Sequence, residues 1–163
     1  MKTLPHCLVV LAVVTGSLCG VGGRVSAQSE DDERAIRALI ESHSVALNDR
    51  DVAKASSVYS DDATIVTASG QIYAGRAAVD RWHAEAVNGP RPFVHTHPAD
   101  TIRVHFLNPA AAVADVESHI PRPAGVDGQP SPALRVPLVI ALVKRDGAWR
   151  IAVQRQTVAS PKP

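Results

Sequence analysis

The sequence predicts an α+β domain in which three N-terminal helices cover one face of a twisted, mostly antiparallel sheet. Three observations carry this. Apolar residues recur at helical spacing in the first part of the chain. From Phe93 onward the period becomes two. Asn108-Pro109 and Asp146-Gly147 then punctuate the alternating segments as turns.

Ser29 suits an N-cap, with Glu30, Asp31, Asp32 and Glu33 at a helix N-terminus. Ile36, Leu39, Ile40, His43 and Leu47 share one face, which predicts a helix to about Asn48. Asp49-Arg50-Asp51 breaks it, and a short helix from about Val52 to Tyr59 follows. Asp61-Asp62 reads as its stop. Ala63 to Thr67 reads as a strand, Ser69-Gly70 as a turn, and Gln71 to Ala74 as the strand pairing back. Gly75 precedes a third helix with Val79, Trp82, His83 and Ala86 on one face, ended by Asn88-Gly89-Pro90.

Ile102, Val104 and Phe106 alternate with Arg103 and His105. Ala112, Ala114, Val116, Ser118 and Ile120 alternate with Val113, Asp115, Glu117 and His119. A tight connection at Asn108-Pro109-Ala110 pairs Arg103 with Asp115 and His105 with Val113. That register turns the apolar set toward the helices and Asp115, Glu117 and His119 away from them. Pro121 to Pro132 is a loop. Leu134 to Lys144 is apolar on both faces, as a covered central strand is. Trp149 to Val158 completes the sheet.

The first 27 residues carry a targeting signal. Lys2 supplies a positive charge, Leu8 to Val14 an apolar run, and Val25-Ser26-Ala27 a small-residue cleavage site. A spanning helix needs ~20 apolar residues, and Thr15-Gly16-Ser17 interrupts this run well before that. Residues 1–27 therefore read as a cleavable signal peptide, 28–160 as one domain and 161–163 as a frayed tail. The expected location is the periplasm or the exterior, with no membrane association after cleavage. Both cysteines, Cys7 and Cys19, leave with the signal, so the mature chain has neither a disulfide nor a thiol nucleophile. It keeps 15 basic and 16 acidic residues. No basic block is present, which argues against nucleic acid as a partner.

Three stretches together resemble a known family. They are Tyr59-Ser60-Asp61-Asp62-Ala63-Thr64 with Gly70 and Gly75-Arg76-Ala77-Ala78-Val79; Arg103-Val104-His105-Phe106-Leu107-Asn108-Pro109 into Ala112-Val113; and Lys144-Arg145-Asp146-Gly147-Ala148-Trp149-Arg150-Ile151 with Gln156-Thr157. The set is similar to the SnoaL-like proteins of the nuclear-transport-factor-2-like superfamily, especially the SgcJ/EcaC-type branch. The resemblance implies a cone, a strongly curved sheet around helices with a pocket at one end, and a homodimer. It also implies a choice among isomerases, cyclases, dehydratases, hydrolases and non-enzymatic binding domains, because fold alone does not give function. In the steroid isomerase branch a catalytic aspartate lies three residues before the turn glycine. Here that glycine corresponds to Gly70 and the position to Thr67, which cannot serve as a carboxylate base.

His95-Thr96-His97 places two imidazoles on one face of a strand. Histidine is the likeliest acid or base near neutral pH, so His97 is the first catalytic candidate, with Tyr59 or His43 orienting the substrate. Trp82, His83, His95, Thr67 and Gln156 are the ligand-binding candidates. His43 reads either as a satisfied core histidine or as a pocket residue. No metal is expected, since nothing in the sequence fixes a third ligand beside His95 and His97. No cofactor motif is present. Two functions remain open: a domain holding a small, largely apolar molecule, with or without cofactor-free acid–base chemistry, and a dimeric interaction module with a filled cone. Cavity volume separates them, because drug-sized ligands need ~300 Å³ or more.

Overall fold

The computed structural model describes residues 21–89, 94–124 and 128–157. The charged and apolar parts of the signal, the tail and the predicted end of the last strand at Val158 lie outside them. The helices are α1 (Val21–Asn48), α2 (Val52–Ser57) and α3 (Arg76–Asn88). The strands are β1 (Tyr59–Val66), β2 (Ile72–Ala74), β3 (Arg103–Asn108), β4 (Ala111–Ile120), β5 (Leu134–Arg145) and β6 (Ala148–Gln156). A short 3₁₀ turn, Ala99–Thr101, precedes β3. The six strands form one sheet in the order β2-β1-β6-β5-β4-β3. All neighbours are antiparallel except β1 and β6, which run parallel.

Irregularities in three ladders help curve this sheet. The register shifts in β1 between Tyr59 and Thr64, in β3 between Phe106 and Asn108, and in β6 between Ile151 and Val153, opposite Ala141 and Leu142 of β5. An extra residue in one strand bends it and increases its twist. The concave face then wraps α1 and α3. Ile36 and Ile40 of α1 and Val79 and Trp82 of α3 meet Ala112, Ala114, Val116, Leu138, Ile140, Leu142, Trp149 and Ile151 in one core.

The β3–β4 hairpin has the predicted register. Arg103 lies opposite Asp115, Val104 opposite Ala114, His105 opposite Val113 and Phe106 opposite Ala112. Ala112, Ala114 and Val116 are buried, while Arg103, His105 and Asp115 are exposed. Arg103 and Asp115 face each other without forming an ion pair. His105 Nε2 lies 3.8 Å from Asp115 Oδ2 instead. Asp146-Gly147 closes the β5–β6 hairpin, with φ of 51° and 78°. Both central residues of a type I′ turn need positive φ, which Asp and Gly tolerate.

Two expectations near the N-terminus are corrected. Ser29 is inside α1 rather than at its cap, because the helix begins at Val21 and extends through the predicted cleavage site. Adding a residue to an existing helix costs far less than starting one. Asp61-Asp62 does not stop α2. The helix ends at Ser57, and both aspartates sit within β1. The irregular start of the β1–β6 ladder leaves the two adjacent side chains exposed, where they bond Arg76 and Arg145.

Asp32, one of the acidic residues expected at a helix start, is an anchor. Its Oδ1 accepts from Lys144 Nζ at 2.6 Å and Trp149 Nε1 at 3.0 Å, tying α1 to β5 and β6. Burial alone would raise its pKa, but the bonds from Lys144 and Trp149 outweigh that and lower it. Asp32→Ala is expected to cost ~3 kcal/mol, because it leaves a largely buried ammonium and an indole N–H without their acceptor. A shift of the urea midpoint measures this. A loss below ~1 kcal/mol would show that the anchor is not needed.

Candidate functional site

Four histidines and a tyrosine converge between α1, α3 and the sheet. His43 comes from α1, Tyr59 from the start of β1, and His83 from α3. His95 and His97 come from the segment before the 3₁₀ turn. That segment is held on both sides. Asn48, the last residue of α1, accepts from His95 N at 3.0 Å and donates to His95 O at 2.8 Å. Thr96 exchanges backbone bonds of 3.1 and 2.9 Å with His119 of β4. Extended backbone at Thr96 turns both neighbouring imidazoles to the same side.

The bonding pattern sets the tautomers. Tyr59 donates its hydroxyl proton to Gln154 Oε1 at 2.6 Å, which leaves its oxygen to accept from His43 Nε2–H at 3.3 Å. His83 Nε2, 3.0 Å from the same nitrogen, is then an acceptor. His83 Nδ1–H donates to Ser56 Oγ at 2.8 Å. The series Ser56, His83, His43, Tyr59 and Gln154 is thereby satisfied with every ring neutral. Ser44 Oγ lies 3.3 Å from His95 Nε2, and His97 Nδ1 lies 3.4 Å from Glu117 O.

Burial works against charge here. Desolvation, with smaller contributions from His83, His95 and His97, pushes His43 well below its usual value. Desolvation also lowers His83 to about 4, with Asp80 opposing and Arg76 adding. It lowers His95 to about 3, helped by His97. It lowers His97 to about 4, against the bond to Glu117 O and helped by His119. At neutral pH all four are uncharged rings, and the lone pair of His83 is taken by His43. Burial raises the Tyr59 pKa far above its usual value, so it stays a phenol.

His43, His95 and His97 line a cavity of about 110 Å³ together with Leu47, Trp82, Ser118, Leu138, Gln154 and Gln156. Ala68, Ile120 and Val136 complete its walls. At ~30 Å³ per water the volume equals three or four waters. It is far below the ~300 Å³ of a drug-sized site. A wider open cleft of about 930 Å³ lies at the other end of β5 and β6, lined in part by Arg76, Asp61, Asp80, Arg145 and Arg150. Arg76 is engaged by Asp61 and the Ser56 and Tyr59 carbonyls, and Arg145 by Asp62. This larger opening presents salt-bridged surface charge, so the imidazole-lined cavity is the candidate site.

The structure brings together most of the residues singled out in the sequence. His43, Trp82, His95, His97 and Gln156 face the cavity. Tyr59 and His83 stand behind it, holding His43. Thr67 stays apart: its hydroxyl bonds Ser69 Oγ at 2.9 Å within the β1–β2 turn. The third imidazole beside His95 and His97, which nothing in the sequence fixes, is that of His43 on α1. Its imidazole and those of His95 and His97 offer nitrogens that all lie within 4.8 Å of one another. Asn48, Ser118 and Gln154 were not foreseen. For Ser118 a signal existed, since it is a polar residue on the inward, otherwise apolar face of β4; Gln154 turns inward only because the register shift between Ile151 and Val153 reverses the alternation of β6.

A curved sheet wrapped on helices, with polar residues at one end of the cone, defines the cystatin-like α+β class of the nuclear-transport-factor-2-like superfamily. Within it the chain belongs to the SnoaL-like domain family, whose model matches residues 28–155. The match is to the family and does not resolve the SgcJ/EcaC-type branch. Solved structures share the fold. An uncharacterised cystatin-like protein from Caulobacter vibrioides is 23% identical, with 79% of this chain and 90% of that chain covered and a TM-score of 0.67. A provisionally named scytalone dehydratase from Novosphingobium aromaticivorans is 16% identical, covering 80% and 86%, with a TM-score of 0.64. A ketosteroid isomerase-like protein from Erwinia carotovora atroseptica is 18% identical, covering 78% and 96%, with a TM-score of 0.63. No curated protein matches the sequence. Among the described residues no helix is long and apolar enough to cross a membrane.

Proposed function

We propose that the protein binds a small molecule in the cone and moves a proton on it through His97, with His43 holding the reacting group. The observation that carries this is the convergence of neutral imidazoles on one small cavity, backed by a hydrogen-bonded series that fixes the orientation of His43. Tyr59 and His83 position His43, and Trp82 supplies an apolar wall. The volume limits the enclosed part of the ligand to a few non-hydrogen atoms. The isomerase-like and dehydratase names of two structural neighbours are consistent with such chemistry. Native mass spectrometry of metal-free protein from its own source is expected to show a retained small molecule that is lost in His97→Ala. A bare chain in every preparation would overturn the reading.

The small cavity favours a second reading, an interaction module. The outward side of β5 presents Ala141 between Val113 of β4 and Val153 of β6, and next to it Val139 between Asp115 and Arg155. We propose that a second copy covers this face, since exposed contiguous apolar surface marks interfaces. Light scattering is expected to give a dimer at micromolar concentration, and a clean monomer would remove the argument.

Export is part of the proposal. The family match begins at residue 28, directly after the predicted cleavage site. Processing there would leave Ser29 near a new helix start, where a cap is useful. N-terminal sequencing is expected to read Gln28, and an intact Met1 in the working protein would sink the claim.

A further inference from the structure

We propose that His43, His95 and His97 form a binding site for one divalent transition-metal ion of the zinc type, with a fourth position open to the cavity. The site goes beyond the proton-transfer reading, because it requires no substrate.

The donor set points to the metal class. Three imidazole nitrogens within 4.8 Å of one another form the cluster. Hard cations such as Ca²⁺ and Mg²⁺ take oxygen ligands, whereas imidazole suits zinc and its neighbours in the transition series. Tetrahedral zinc with Zn–N of 2.0–2.1 Å places ligand nitrogens ~3.3 Å apart. Binding therefore asks the rings to close by at most about 1.5 Å, and the segment carrying His95 and His97 is short and non-helical.

The surroundings resemble those of ligating histidines, which commonly engage their other ring nitrogen with a protein partner. His43 uses Nε2 toward Tyr59 and His83, and His97 uses Nδ1 toward Glu117 O. Ligation therefore falls to Nδ1 of His43 and Nε2 of His97. His95 has Ser44 Oγ at 3.3 Å from its Nε2. Three protein ligands plus an open position is the arrangement of catalytic zinc rather than structural zinc. The cavity has room for a metal-bound water, and Ser118 and Gln154 on its wall can hydrogen-bond to that water.

The consequence for function is specific. Nε2 of His97 either exchanges a proton or ligates a metal, and cannot do both at once. In the metal-bound state the proton-transfer group becomes the metal's water, whose pKa such coordination lowers toward ~7.

The test uses the full chain, stripped with chelator, and the metals alone. Zinc is titrated by calorimetry and Co²⁺ by visible absorption, on native protein and on protein refolded with metal so that closed access cannot hide the site. One equivalent per chain is expected, with the intense band of tetrahedral cobalt. Zinc should raise the melting temperature in a concentration-dependent way. His97→Gln, and separately the His43→Leu variant, should weaken binding by more than the ~10–100-fold that loss of an outer partner costs. Ser44→Ala should weaken it about 10-fold. The surface variant His105→Ala should bind as the native chain does. Circular dichroism checks that each variant is folded. Sub-stoichiometric binding by the native chain, octahedral cobalt, or binding lost only in the surface variant would overturn the site. None of these outcomes depends on a substrate, so the metal site and the proton-transfer reading can fail independently.

Discussion

Lowering the pH from 7 to 4.5 is expected to remove much of the stability of the metal-free protein. Each buried imidazole has a folded-state pKa below the ordinary 6.5, because burial penalises its charged form. In the unfolded chain the same rings protonate near 6.5. Between that value and the folded ones the unfolded state binds more protons, so stability is complete above pH 6.5 and falls as the pH drops. For His83 alone the move from 6.5 to about 4 corresponds to ~3 kcal/mol once the pH reaches the folded value. A domain of this size holds only ~5–15 kcal/mol in total. Asp62, lowered to about 2 mainly by its bond to Arg145, contributes in a separate window below the ordinary 3.8. Urea unfolding at pH 7.0, 5.5 and 4.5, followed by Trp82 and Trp149 fluorescence, measures the effect. The midpoint should fall steadily. An unchanged midpoint would mean that the rings are not desolvated as the structure places them.

Adjacent residues of β5 should respond in opposite ways. Ile140 is 2% exposed and packs in the main core, while its neighbour Val139 is 39% exposed on the outward face. Ile140→Ala removes buried methyl and methylene groups and leaves a void, at ~2–5 kcal/mol. Val139→Lys adds a charge to a surface position and should cost well under ~1 kcal/mol in an isolated subunit. If a second copy covers that face, the lysine is forced into an apolar interface and the dimer dissociates. Chemical denaturation reads the first effect and light scattering the second. A loss below ~1 kcal/mol for Ile140→Ala would show that the inward face had been assigned wrongly.

How much of the candidate site could be read in the chain follows from the range of each signal. Trp82 and His83 lie on one helix, and their placement on its inward face follows from the helical repeat alone. His95 and His97 are two residues apart, so their common facing needs only extended backbone. Asp32 illustrates the limit. Its sequence neighbours are acidic residues typical of a helix start, and its real partners, Lys144 and Trp149, are more than a hundred positions away. Thr67 shows the converse error. A position matched to a catalytic one in a related branch lies in a turn here, and its hydroxyl serves that turn.

The order of elements, the Asp146-Gly147 hairpin and the register of β3 on β4 are legible in the chain alone. These depend on interactions between residues close along the chain or directly across a tight turn. With a side-chain period of two, a one-residue slip would expose the whole apolar face of Ala112, Ala114 and Val116. Long-range packing sets the rest: His43 meets His95 and His97, the cavity beside them holds about 110 Å³, and Tyr59 stands behind it. Those outcomes depend on how closely α1 packs into the curved sheet and on the Asn48 and Thr96 bonds that suspend the histidine segment between them. No local periodicity records that packing, because it is set by the summed fit of side chains far apart in the chain.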